Sequence, residues 1–97
     1  MKLKCGFAAE YKKRHDELWP ELYKAFKEAG VVDYSIFLDE DTSTLIAFQN
    51  LAEDNTTAAL RHSELMRKWW NHMADIMEVS ADRSPISQTL QEVFYLK

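Results

Sequence analysis

Val31-Val32-Asp33-Tyr34-Ser35-Ile36-Phe37-Leu38-Asp39 and Thr44-Leu45-Ile46-Ala47-Phe48-Gln49-Asn50-Leu51 are joined by the polar turn Asp39-Glu40-Asp41-Thr42-Ser43, which begins on the last residue of the first run. Side chains alternate between the two faces of a strand. In the first run Val32, Tyr34, Ile36 and Leu38 share one face, and Val31, Asp33, Ser35 and Phe37 the other. In the second, Leu45, Ala47 and Gln49 stand opposite Ile46, Phe48 and Asn50. Two such runs joined by a short polar turn predict an antiparallel hairpin.

Upstream of the hairpin, the spacing predicts helix from Ala8 to Ala29. Tyr11, His15, Leu18, Leu22, Ala25, Phe26 and Ala29 form its inner stripe, and Gly30 ends it. Proline lacks an N–H and clashes with the preceding turn, so Trp19-Pro20 should kink or restart this helix. Met1 to Cys5 alternates as a short strand that stops at Gly6. Downstream, Asp54 or Asn55 can cap a helix from Thr56, and Ser63 is a second cap. Met66, Trp69, Trp70, Met73, Ile76 and Met77 share a wide apolar face on a helix expected to end near Glu78. Ser80 to Thr89 reads as a loop, and Leu90 to Leu96 as a final strand.

The order is therefore β-α-β-β-α-β, an α+β chain of the ferredoxin-like split βαβ type, in one domain over residues 1–97. Both faces of the hairpin are partly apolar, at Tyr34, Ile36, Ile46 and Phe48, but the helices cover only one. A bare apolar sheet face is rare on a monomer. The expectation is a homodimer, packed face to face as a barrel-like core.

Composition excludes several classes. With 46% hydrophobic residues and only 2 Gly and 2 Pro, the chain is not disordered. A net charge of -4 argues against nucleic acid, which needs a basic footprint. Lys12-Lys13-Arg14 is interleaved with Asp16, Glu17 and Glu21 and reads as a solvated helix face. Cys5 has no partner for an internal disulfide, and no signal peptide or membrane span is evident, so a cytoplasmic location is expected.

Neither a metal-ligand spacing, a glycine-rich phosphate loop nor a nucleophile elbow is present. What remains is His15 with aromatic company. Tyr11 and His15 are four residues apart and share a helix face. Imidazole gives and takes protons near neutrality, phenols hydrogen-bond, and indole offers a flat apolar face. That set suits a small polyhydroxylated ligand such as a sugar. Each residue also has a purely structural reading. His15, Tyr11 and Tyr34 can be boundary packing, and His62 and His72 packing or surface residues. Cys5 can be a small core hydrophobe. Trp69 and Trp70 point about 100° apart on a helix, so one can line a pocket while the other packs, or both can pack.

Four stretches carry a resemblance. Arg14-His15-Asp16-Glu17-Leu18-Trp19-Pro20-Glu21-Leu22, Lys68-Trp69-Trp70-Asn71-His72-Met73-Ala74-Asp75-Ile76-Met77 and Gln91-Glu92-Val93-Phe94-Tyr95-Leu96 resemble the L-rhamnose mutarotase family, as does Asp33 to Asp39. The resemblance runs in order over nearly the whole chain. It implies a dimeric ferredoxin-like α/β barrel that interconverts the α and β anomers of L-rhamnose in the bacterial cytoplasm, with no cofactor and no metal. It places His15 on the family's proton donor, Tyr11 and Tyr34 on substrate-binding tyrosines, and Trp69-Trp70 on the sugar-contacting tryptophans. The family commonly has an aromatic where this chain has His72, and several more residues before the first strand. Two other readings fit the same architecture: a small dimeric α/β-barrel monooxygenase, cofactor-free or haem-associated, and a non-catalytic sugar-binding module.

Overall fold

The computed structural model describes residues 1–97. The long amphipathic stretch is two helices, α1 (Ala8–Asp16) and α2 (Pro20–Glu28). The expected restart is at Trp19-Pro20. Trp19 takes the extended backbone that a following proline imposes, with φ -58° and ψ 131°, and Pro20 occupies the first turn of α2, where no N–H is needed. The hairpin has the predicted limits, β1 (Val31–Asp39) and β2 (Thr44–Leu51), with Asp39 opposite Thr44 and Val31 opposite Leu51. Of the downstream caps, Ser63 holds the cap position of its helix, whereas Thr56, not Asp54 or Asn55, stands at the cap position of the other and makes no side-chain cap bond. Asn55 Oδ1 accepts from the Thr57 N–H at the start of α3 (Thr57–Arg61), and Ser63 Oγ accepts from the Met66 N–H at the start of α4 (Glu64–Met73).

The core forms where these elements meet the inner face of the hairpin. Leu22 and Ile76 are fully enclosed, and Leu3, Tyr11, Leu45, Trp69, Met73 and Met77 join them. Ile36 and Leu38 pack against this cluster from β1, while Phe37, Ile46 and Phe48 stay exposed on the outer face. No helix is long and apolar enough to cross a membrane.

Three sequence expectations are corrected. Met1 to Cys5 is not a regular strand. Only Lys2 and Leu3 pair, as isolated bridges to Thr44 and Met77. The Met1 carbonyl accepts from the Leu45 N–H at 2.8 Å, and the Lys4 N–H donates to the Ile76 carbonyl at 2.8 Å. The last long helix ends at Met73, not near Glu78, because Ile76 and Met77 are drawn into the core beside that N-terminal segment. Leu90 to Leu96 is not a strand of this chain. It has no regular secondary structure, and Val93 is 88% exposed. A period-2 pattern reports a capacity to pair, and the position beside residues 1–4 is taken by residues 76–78.

Gly30 closes α2 as expected, with φ +98°. A Cβ there would lie 2.8 Å from Asn55 Cβ and 2.9 Å from Asn55 Cα, so backbone conformation and space both demand glycine. Gly30→Ala is expected to destabilise the fold by about 2 kcal/mol or more, from left-handed strain plus overpacking. Urea unfolding of the two proteins measures this, and an unchanged midpoint would contradict it.

Candidate active site

α1 carries Tyr11 and His15 one turn apart, and the two rings stack with centroids 4.2 Å apart and planes 26° from parallel. The Trp69 ring of α4 meets the His15 ring edge-on at 5.3 Å. Behind it, Trp19 meets Trp69 at 5.2 Å, and His72 packs 5.5 Å from Trp19 and 5.6 Å from Trp69. Tyr34 rises from β1 on the core side, against Phe26 at 5.8 Å. The structure therefore gathers Tyr11, His15 and Trp69, with Tyr34 close enough to Tyr11 to act on its titration. Trp70, half-buried, packs against the core with the Arg61 guanidinium 5.8 Å above its ring and makes no ring contact with these residues.

The His15 ring is held by its own helix. Nδ1 lies 3.1 Å from the Tyr11 carbonyl. A carbonyl oxygen only accepts, so Nδ1 carries the proton of that bond. In the neutral ring, Nε2 is then a bare lone pair. It bonds to no protein atom, and no buried polar side-chain atom lacks a partner, so Nε2 is open to an incoming group.

The surroundings set the protonation states. Burial lowers the His15 pKa, opposed by the Tyr11 carbonyl and by the charge of Asp16. Near neutral pH the ring is mainly neutral. Burial holds the Tyr11 hydroxyl well above the ordinary phenol value, and Tyr34 adds to this. Tyr34 is raised too, mainly by burial and against the Gln49 side chain, although 39% of its surface is exposed and water tempers the effect. Both phenols are hydrogen-bonding groups at neutral pH.

One reading is corrected here. Lys12 of the Lys12-Lys13-Arg14 run is solvated, but the Arg14 side chain is only 16% exposed. Its guanidinium spans Asp75 beyond α4, at 2.8 and 3.2 Å, and also donates to the His72 carbonyl at 2.7 Å and to Glu10 at 3.1 Å. Glu10, four residues earlier, was a visible signal; Asp75 was not. Trp19, at the helix break, and His72 both stand beside the site, packed on the Trp69 ring. A surface cavity of about 280 Å³ is lined by Glu10, Lys13, Arg14, Glu17, Trp19 and His72. None of Tyr11, His15, Tyr34 or Trp69 lines it, but Trp19 and His72 join it to the aromatic cluster. No three His, Cys, Asp or Glu side chains converge as metal ligands.

Comparison with known proteins gives one family. The family model described as L-rhamnose mutarotase matches residues 1–96. The L-rhamnose mutarotase of Flavobacterium johnsoniae is 53% identical over 96 residues, covering 99% of this chain and 90% of the relative. That of Formosa agariphila is 50% identical over 97 residues, covering 100% and 93%. A crystal structure of L-rhamnose mutarotase from Formosa agariphila superposes with a TM-score of 0.91 at 52% identity, covering 100% of this chain and 93% of that one.

The His15 imidazole is expected to titrate below the usual value of about 6.5. Between that value and its lower folded one, the unfolded chain binds more protons, so stability should fall as pH drops through the window. Ring-proton NMR shifts against pH measure the first effect and urea midpoints the second. A His15 titration at or above 6.5 would contradict an enclosed imidazole.

Proposed function

The chain belongs to the L-rhamnose mutarotase family, and from that premise we propose that it interconverts the α and β anomers of L-rhamnose with His15 as its proton-transfer residue. The observation that carries the residue assignment is the His15 ring itself: Nδ1 fixed on a carbonyl, Nε2 open, and Tyr11 and Trp69 on its flanks.

Anomer exchange moves one proton from the O1 hydroxyl to the ring oxygen O5. Neutral Nε2 accepts the O1 proton, a carbonyl forms at C1, and the C1–O5 bond breaks. The imidazolium returns its proton to O5. Rotation about C1–C2 turns the aldehyde, and the same steps in reverse close the ring on the other face. No metal or cofactor enters these steps. Tyr11 and Tyr34 hold sugar hydroxyls as neutral phenols. Trp69, edge-on to His15, gives the sugar's apolar C–H face an aromatic wall. The family match over residues 1–96 favours this reading over a monooxygenase or a non-catalytic sugar-binding module.

The working form in this reading is a homodimer of ferredoxin-like single domains in the cytoplasm, free of nucleic acid and membrane. Residues 1–4 lie between β2 and residues 76–78, which is consistent with a four-segment antiparallel sheet. Its outer face exposes Phe37, Ile46 and Phe48, and the C-terminal segment exposes Val93, Phe94 and Leu96. A second copy packing on that face makes the barrel-like core.

Exchange NMR on L-rhamnose at anomeric equilibrium tests the activity. Added protein should speed exchange between the two anomeric signals, and His15→Ala should reduce the effect by roughly 10²–10⁴-fold while the fold is kept. Undiminished exchange in a folded His15→Ala protein would reject His15. Sedimentation should give twice the 11.4 kDa chain mass, and Phe37→Lys should shift the protein toward monomer. A stable wild-type monomer at micromolar concentration would reject the dimer.

A further inference from the structure

We propose that Arg14 is a positioning residue for this site: through its fork onto Asp75 and the His72 carbonyl it fixes the last turn of α1 against the end of α4, and so sets where His15 stands relative to Trp69. The inference rests on the assignment of His15 as the proton-transfer residue.

Four side-chain ion pairs exist in the protein, and three of them join residues four apart on one helix. Arg14–Asp75 is the one that joins distant elements, 61 residues apart in sequence. Its geometry is unusually complete. Nη1 and Nη2 meet the two Asp75 oxygens at 2.8 and 3.2 Å, Nη1 also donates to the His72 carbonyl at 2.7 Å, and Nε donates to Glu10 at 3.1 Å. Two-pronged pairing of this kind specifies orientation as well as attraction. The His72 carbonyl belongs to the last turn of α4, where helix ends leave carbonyls unpaired and attract cations. Asp75 is held below the usual carboxylate range chiefly by its bond to Arg14.

The two ring-bearing residues stand beside these anchor points. His15 follows Arg14 directly, and Trp69 lies one turn before Met73 on α4. α1 has nine residues and ends at Asp16, and beyond it only the Glu17 and Leu18 N–H groups bond back to its last turn before the break at Trp19-Pro20. Without the fork, packing alone would fix that turn, and the edge-on contact at 5.3 Å between His15 and Trp69 would be free to widen. A displacement near 1 Å at a reacting group lowers rates by up to about 10²-fold. Lysine cannot replace the fork, because a single ammonium lacks the planar pair of donors.

The test compares wild type with Arg14→Gln, Arg14→Lys and Asp75→Asn by two readouts. The first is the L-rhamnose anomer exchange rate. The second is the set of His15 ring-proton shifts, which the Tyr11 and Trp69 rings displace in the folded protein. The expected result is a roughly 10- to 100-fold loss of exchange in both Arg14 variants and a smaller loss in Asp75→Asn. In each case the His15 shifts should move toward those of a free imidazole, with far-ultraviolet circular dichroism unchanged. Folded Arg14 variants with wild-type His15 shifts would overturn the proposal, whatever their stability. If the Arg14 variants do not fold, Asp75→Asn decides, and unmoved His15 shifts there overturn it. Absence of exchange in the wild type together with moved His15 shifts in the variants would reject the mutarotase reading while upholding the clamp.

Discussion

Pro20 has no N–H to offer the turn before it, and its ring bars Trp19 from helical backbone. Much of the site depends on that. A single unbroken helix over residues 8–28 would run about 30 Å, most of the longest dimension of the molecule, 37 Å. Broken at Trp19, it becomes two nine-residue helices that place Tyr11 and Leu22 in one core cluster. The break also places His15 in a last helical turn and turns the Trp19 ring edge-on to Trp69. A helix end favours a cation on its C-terminal residues. Burial favours the neutral imidazole, while its place in the last turn of α1 would support the charge it gains in the proposed proton transfer.

Trp69 is the hub of the aromatic cluster. It is buried, and three rings lean on it: His15 from α1, Trp19 from the break, and His72 from its own helix. A side chain held from three directions has little freedom, so the wall beside His15 is preformed. Trp70, its neighbour, is held differently. Half-buried, it packs against the core with a guanidinium over its ring. Adjacent positions on one helix thus have different surroundings, because consecutive side chains leave a helix about 100° apart.

Local features were legible in the sequence where local physics decides them. The hairpin limits followed from alternation and a polar turn, the helix restart from proline, and the α2 terminus from a glycine at φ +98°. Tyr11 and His15 were paired by spacing alone. Contacts between distant segments were not legible. Arg14 looked like one of three solvated cations, because the residue that encloses it, Asp75, is 61 positions away. Leu90 to Leu96 has strand character but no neighbour within the chain, and the pairing place was filled by Ile76 and Met77, whose apolar faces read equally well as a longer helix. Short apolar runs are ambiguous in this way, since the same residues bury equally well in either backbone.

The C-terminal segment ties fold to assembly. Residues 87–97 make no backbone–backbone hydrogen bond, and Leu90, Val93, Phe94, Tyr95 and Leu96 are all exposed. Only 12 of the 97 residues are buried, so one chain's own core is small for the apolar residues it carries. A segment that alternates like a strand and leaves its backbone unpaired favours pairing with another chain. The outer face of the hairpin, with Phe37 and Phe48, lacks a cover for the same reason. In the proposed dimer one association meets both needs. Burial at that interface then contributes to the stability of the sheet that carries Tyr34. In the proposed enzyme the helices position the His15 ring within one chain, whereas the sheet that carries Tyr34 draws part of its rigidity from the second copy.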